Sequence, residues 1–329
     1  MKLQERIRRC IRHSRLILFV RLLCDAVYEA YNQSLHLGAS RMMDDEVKYA
    51  ADLQIRTHAI EKGLSIGSCR AGFGIPKVES LLEDLSLYIT RFPHAHIDEA
   101  IAVIDKYINF NRAYKIDISH IEEQYERLLS VYKLRQEVEA GIKTCSREDT
   151  FAALQSSFDV FSASRYSVRD FDNNGSVAVD SIIEAINIAR KAPSACNRQP
   201  ALAHIFSGDK AQALFDFQGG CKGFSRDMRY AILITADMRR YFIQERHQMY
   251  VDGGLFAMDL LLSLHYKGLA TIPLTTAFKS AVVRKMLLQF DIPSHEVPIM
   301  LIGVGAYKEE YKVAISHRNP VEEYCRKHD

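Results

Sequence analysis

Ser164-Arg165-Tyr166-Ser167-Val168-Arg169-Asp170-Phe171 is the stretch on which the reading of this chain turns. Two guanidinium forks flank a serine hydroxyl, and such forks match the oxygens of a phosphate or another polyanion. Alone, a short arginine-rich turn is more often a solvated loop. A second stretch adds weight: Ala192-Pro193-Ser194-Ala195-Cys196-Asn197-Arg198-Gln199-Pro200. Two prolines bracket small and amide residues, which gives a stiff connection with exposed hydrogen-bonding groups. Between the two stretches, Ile182, Ile183, Ile186 and Ala189 recur at helical spacing behind Ser181-x-x-Glu184, a capping box, and Ala192-Pro193 ends the helix. Ala201–Ser207 then reads as a buried strand.

Tyr230–Ala236 and Pro298–Val304 read as further buried strands, and Gly253–Tyr266 as a long helix closed by Gly268. Intermixed strands and helices argue for a sheet with helices packed on it. Residues 1–157 have a different character. Ala100, Ile101, Ile104, Tyr107 and Ile108 share one helix face, and Ile121, Tyr125, Leu128, Leu129 and Tyr132 share another, with Gly141 as its cap. Loop signals fall at Gly63–Pro76 and Phe92–His96. The chain therefore divides into a helical region, 1–157, and a mixed domain, 158–329.

The chain has 329 residues, with 48% hydrophobic, 26% charged and a net charge of +2, within the range of ordinary globular proteins. Nothing in the bulk composition supplies the concentrated basic face that a nucleic-acid partner needs. Seven cysteines, odd in number and widely spaced, argue against a disulfide framework or a zinc site. Reduced thiols in a cytoplasmic protein are the plain expectation. Lys2, Arg6, Arg8, Arg9, Arg12 and Arg15 precede the apolar run 16–20. That run is far short of the roughly 20 residues that cross a bilayer. No small-residue cleavage site follows it, which argues against a secretory signal. Two readings stay open for residues 1–30: a helix in peripheral contact with an anionic membrane, or a helix whose apolar side packs on the rest of the chain.

In this order and spacing, R-x-S-x-R-x-F, a helix, A-P-S-x-x-N-x-Q-P and a strand resemble the nitroreductase family of flavoproteins. Gly268-Leu269-Ala270-Thr271-Ile272-Pro273-Leu274-Thr275-Thr276 is similar to the family's loop after its central helix. Arg318-Asn319-Pro320-Val321-Glu322-Glu323 is similar to its C-terminal R-x-P-x-E-E. The likeness spans about Phe158 to Cys325. It implies an α+β fold, a nitroreductase-like central sheet flanked by helices, and FMN as cofactor with NADH or NADPH as transient reductant. Arg165, Ser167 and Arg318 would hold the ribityl phosphate, with Tyr166 in the same turn. Arg169 would stand at the pyrimidine edge, where a cation stabilises charge on the reduced ring. Pro273 and Leu274 would lie against the flavin, and a backbone N–H near Thr275 would reach its N5. Pro193, Ser194 and Asn197 would come from the second subunit of a homodimer with shared sites.

This chain departs from the family pattern in three places. Ser316 stands where many members have a second basic residue. Thr275 and Thr276 replace a Glu-Gly pair. Phe217–Phe224 aligns poorly, with Lys222 as a candidate contact. The alternative from another class is a flavin-free scaffold serving as a binding or assembly protein.

The most distinctive part of the first half is His58, Glu61, Lys62, Gly63 and Arg70, followed by Gly72-Phe73-Gly74. His58 and Glu61 share a helix face, but a metal would need further ligands. The segment reads either as a helix end capped by Gly63 or as a cover over the flavin pocket. The latter is similar to N-terminal extensions on some nitroreductase-like proteins associated with polysaccharide biosynthesis. His94 and His96 read as a surface loop. Gly303-Val304-Gly305 and Gly72-Phe73-Gly74 read as turns, since neither has the glycine spacing of a dinucleotide fingerprint.

Overall fold

The computed structural model describes residues 14–36, 42–136, 138–245 and 247–328. Lys2, Arg6, Arg8, Arg9 and Arg12 lie outside the described residues. Helix α1 (Arg15–His36) is followed by α2 (Glu46–Leu64), α3 (Ile75–Arg91), α4 (Asp98–Ala113) and α5 (Ser119–Val131). Asp45 caps α2, its carboxylate accepting from the Val47 and Lys48 N–H groups. Helices α2–α5 close around their own core, in which Tyr49, Leu81, Leu85, Ile104, Tyr107 and Ile121 are fully buried. Helix α1 has no buried residue, and Leu16, Phe19, Val27 and Tyr28 are more than 60% exposed. The expectation that its apolar side packs on this chain is thus overturned. It touches the body through Glu29 with His247 and through the Leu35 carbonyl with Lys48.

The second half follows with β1 (Ile142–Ser146), α6 (Arg147–Ala153), α7 (Phe158–Ser164), β2 (Phe171–Asp172), α8 (Val179–Ala189), β3 (Ala201–Ser207), α9 (Gly208–Gln218), β4 (Tyr230–Asp237), α10 (Gln248–Tyr266), β5 (Ala270–Thr275), α11 (Ser280–Gln289), β6 (Glu296–Tyr307), β7 (Glu310–Ala314) and α12 (Val321–Tyr324). A five-stranded antiparallel sheet runs β2-β6-β4-β3, with β5 also paired to β6. Helices α8 and α10 cover one face, packing Ile182, Phe256, Leu260 and Leu264 onto Ile232, Ile234 and Val304. Helices α9 and α11 cover the other, with Phe215, Met286 and Leu287 against Leu233 and Leu301. This is the expected α+β class, helices on both faces of a central sheet.

Several local expectations need correction. Helix α8 begins at Val179 with no side-chain cap, so Ser181 lies inside it. Gly63 lies within α2, which runs to Leu64. A side chain at Gly63 would collide with the Phe73 ring, so the glycine serves close packing. Gly141 does not cap α5, which ends ten residues earlier; with φ of 90° it turns the chain into β1. Gly303 and Gly305 lie inside β6, because Met228 and Phe171 occupy the space their side chains would need. Strand β1, from the stretch read as helical, pairs with β7 at the far end of the chain.

Candidate functional site

Helix α7 ends at Ser164, whose hydroxyl is hydrogen-bonded to His265 Nε2 at 2.7 Å and to the Phe161 carbonyl. That bond ties the start of the arginine turn to the C-terminal end of α10. His265 is fully buried, and its other nitrogen meets the Tyr307 hydroxyl at 3.1 Å. Burial, and then the charge of Arg165, push the His265 pKa down to about 4, so the imidazole is neutral near pH 7. The rest of the turn is fixed by backbone. Val168 N–H donates to the Thr271 carbonyl on β5 at 2.9 Å, and Val168 bridges Val313 on β7.

This frame holds two arginines under cover. Arg165 Nη1 is buried with no hydrogen-bond partner. Burial, and the like charge of Arg318, lower its pKa below the usual arginine value. Arg169 is 8% exposed and donates only to the Ser167 carbonyl, at 3.3 Å. Burial pushes its pKa down to about 10, against the attraction of Glu61. Lys62, from α2, is half-buried, and its pKa falls through burial and then through the charge of Arg169. Unanswered cations under cover are costly unless an anion completes them. A phosphate is a fitting partner, since its oxygens accept several charge-assisted bonds at once.

Arg318 is exposed, and its Nη1 donates to the Ser316 carbonyl at 2.5 Å. Tyr166 is partly covered by Lys143, whose ammonium sits 4.6 Å from the ring centroid. Pro273 is half-buried, Leu274 is buried, and Thr275 is exposed at the end of β5. A cavity of about 550 Å³ opens there, lined by Thr275, Thr276, Met238, Tyr250 and Ile299.

The 193–199 loop stands elsewhere. Ala195 N–H donates to both oxygens of buried Asp252, near the N-terminal end of α10, at 3.2 and 3.3 Å. Arg198 makes a two-pronged pair with Glu245 at 2.7 and 2.8 Å. Pro193 and Asn197 are exposed and Ser194 is half-buried. At a rise of about 1.5 Å per residue, Asp252 and His265 lie about 20 Å apart along α10. Arg165 thus lies within the field of Arg318 and Lys62 within that of Arg169, while Pro193 and Asn197 stand at the other end of the helix.

Sequence reading missed His265 and Asp252, lone residues on a helix face with no motif around them. It read the loop after α2 as a candidate cover over the flavin pocket, without the contacts that dock it. There Ile66 packs on the half containing Gly223, and Gly67 lies so close to the Asp170 carboxylate that a side chain would collide with it. Asp170 is paired with Lys308. Lys222, in contrast, is simply exposed. Among the described residues no group of three or more His, Cys, Asp or Glu is placed to hold a metal. None of the described helices is long and apolar enough to cross a membrane.

Residues 163–221 match the family model described as the nitroreductase family. The chain is 25% identical over 189 residues to a protein provisionally named NAD(P)H nitroreductase YodC, from Bacillus subtilis, covering 46% of this chain and 90% of that one. Among solved structures, it is similar to a nitroreductase family protein from Streptococcus pneumoniae, with 23% identity, 52% of this chain, 100% of that chain and a TM-score of 0.46. A provisionally assigned nitroreductase from Exiguobacterium sibiricum, solved in complex with FMN, is 17% identical over 53% of this chain and 98% of its own, with a TM-score of 0.46. The family match runs through the arginine turn, α8, the proline-bracketed loop and β3, the same elements that carry the open cations and the outward-facing amides, so residues 163–221 are similar to the nitroreductase family.

Proposed function

We propose that this protein is an NAD(P)H-dependent FMN oxidoreductase that works as a homodimer on a small organic acceptor. The observation that carries the reading is Nη1 of the half-buried Arg165, itself buried without a partner, on a guanidinium that feels the charge of Arg318. FMN, when bound, supplies the hydride chemistry. The chain's part is to hold and tune it. Arg165, Ser167 and Arg318 grip the phosphate, with Tyr166 beside them. Arg169, kept cationic even with its lowered pKa, stabilises negative charge at the pyrimidine edge. Pro273 and Leu274 form an apolar bed, and the backbone near Thr275 donates at N5. No side-chain nucleophile is needed.

The homodimer is supported by the two ends of α10. One site needs both the Arg165 turn and the Asn197 loop, and in one chain these stand at opposite ends of that helix. Tyr250, Val251, Leu255 and Met258 form an exposed apolar stripe along it. Antiparallel packing of two such helices about a two-fold axis would set Pro193, Ser194 and Asn197 of one chain beside Arg165 of the other. We place the division into regions at 157/158, with β1 and α6 attached to the second region through β7, and we place the enzyme in the cytoplasm.

The deciding experiment is release of the cofactor by denaturation. The purified chain should be yellow and yield FMN by mass and absorbance, near one per chain. A colourless chain that also fails to take up added FMN would overturn the enzyme and leave the flavin-free scaffold. A second reading concerns α1: its exposed apolar side, after a basic stretch, fits peripheral contact with an anionic membrane.

A further inference from the structure

His58, Glu61 and Lys62 have no task in the reaction above, yet Glu61 is fully buried. Its Oε1 accepts from the Gly141 N–H at 3.1 Å and from the Ser316 N–H at 3.0 Å, and its Oε2 is paired with His58 Nδ1 at 2.8 Å. The Ile315 N–H donates to the Gly141 carbonyl at 3.0 Å. One carboxylate on α2 therefore closes the end of the β1–β7 ladder, tying the helical half to the segment that leaves β7. Ser316 has a left-handed backbone, φ 53°, which a non-glycine residue keeps only where its surroundings hold it. Two residues further on, Arg318 leans its guanidinium on the Ser316 carbonyl. The same carboxylate acts through space on Arg169. Where many relatives would add a basic residue at Ser316, this chain offers a peptide N–H to Glu61.

We propose that Glu61 is a positioning residue of the cofactor site. From the helical half it holds Ser316 in the backbone conformation that presents Arg318 beside Arg165. The helical half is on this account a working part of the FMN site and not an appended module. The proposal rests on the FMN reading above. Removing the carboxylate leaves two backbone donors without an acceptor and frees Ser316 to relax, so Arg318 is no longer aimed.

The test compares Glu61→Ala, Glu61→Gln and Leu81→Ala with the unaltered chain. Leu81 is fully buried in the helical core, so its truncation weakens that core without touching Ser316. FMN affinity is read by flavin fluorescence, and amide exchange at Ser316 is read in the cofactor-free chain. Glu61→Ala should weaken FMN binding about tenfold or more and speed Ser316 exchange. Glu61→Gln keeps an oxygen for both N–H groups and should restore most of the affinity. Leu81→Ala should lower the unfolding temperature while the folded chain binds FMN as before. Unchanged affinity in Glu61→Ala, or an equal loss in Leu81→Ala, overturns the positioning role. An unaltered chain that takes up no FMN overturns the reading of the reaction instead. Exchange at Ser316, which needs no cofactor, then decides whether Glu61 holds the segment.

Discussion

The arginine turn and the proline-bracketed loop are both short and polar, but their charges are settled in opposite ways. In the loop every strong group has an answer within the chain. Arg198 is paired with Glu245, the Ala195 N–H and the Tyr241 hydroxyl both reach Asp252, and the Arg198 guanidinium carbon lies 5.0 Å from the Tyr241 ring centroid. Those bonds hold three non-glycine residues in left-handed conformations, Cys196 and Asn197 at φ 52° and Gln199 at φ 49°. Each costs on the order of 1–3 kcal/mol and persists only where its neighbours over-determine it. In the turn, Arg165 and Arg169 have only backbone or nothing. An open charge under cover asks for a ligand, whereas a rigid loop with its charges internally closed presents its remaining amides to another surface.

The largest effect should come from breaking the open side. Arg165→Ala and Arg318→Ala should each weaken FMN binding by about tenfold to a hundredfold, the value of a charge-assisted hydrogen bond at about 1.5–3 kcal/mol. Arg198→Ala should cost FMN affinity much less, because its guanidinium is already engaged with Glu245. Titration of cofactor-free protein with FMN measures all three. Equal losses would mean that the contrast between turn and loop has been misread and that Arg198 also faces the phosphate.

Much of this contrast is legible in the sequence, because both pieces are local. The β3 limits, Ala201–Ser207, follow from a mostly apolar run between Pro200 and Gly208. Strand β5 is harder: Gly268 and Pro273 punctuate it like a loop. Proline is tolerated because β5 pairs with β6 alone and its other edge makes no ladder. Gly303 and Gly305 mimic a turn for a related reason. Their smallness answers Met228 and Phe171, residues remote in sequence, and no window around position 304 contains that information. The Glu61 latch is the extreme case. Its acceptor oxygen serves donors 80 and 255 residues away, so only the folded chain reveals why a carboxylate sits there.

A second experiment sharpens the comparison by asking whether turn and loop serve one site from two chains. Suppose that Arg165→Ala and Asn197→Ala homodimers each lose FMN. Refolded together, about half the dimers are mixed if pairing is random. A mixed dimer has one intact site and one doubly damaged site, so about a quarter of the sites should regain FMN. Flavin bound per chain, with mixed dimers verified by mass, gives the number. No recovery would place both residues in a single chain's site, or show that one lesion acts through misfolding.

The smallest expected effect concerns a region outside this comparison. A chain starting at Arg15 should bind FMN with unchanged affinity, because none of the four flavin-related sequence motifs lies in the residues removed. Removing α1 as well, by starting at Met42, takes away the Glu29–His247 pair and the Leu35–Lys48 bond, both at exposed positions and remote from the turn. Its effect on FMN should also be slight unless α1 covers the α10 stripe in a dimer. Two measurements separate the occupants of its apolar side. If it lies on lipid, the full chain co-sediments with anionic vesicles, the association weakens as salt is raised, and each lost cation near the surface costs about 1 kcal/mol. The chain starting at Met42 then stays in solution and remains dimeric. If α1 instead covers a second copy, vesicles make no difference, and the shortened chain shifts toward monomer by light scattering. That shift would take the shared FMN sites with it.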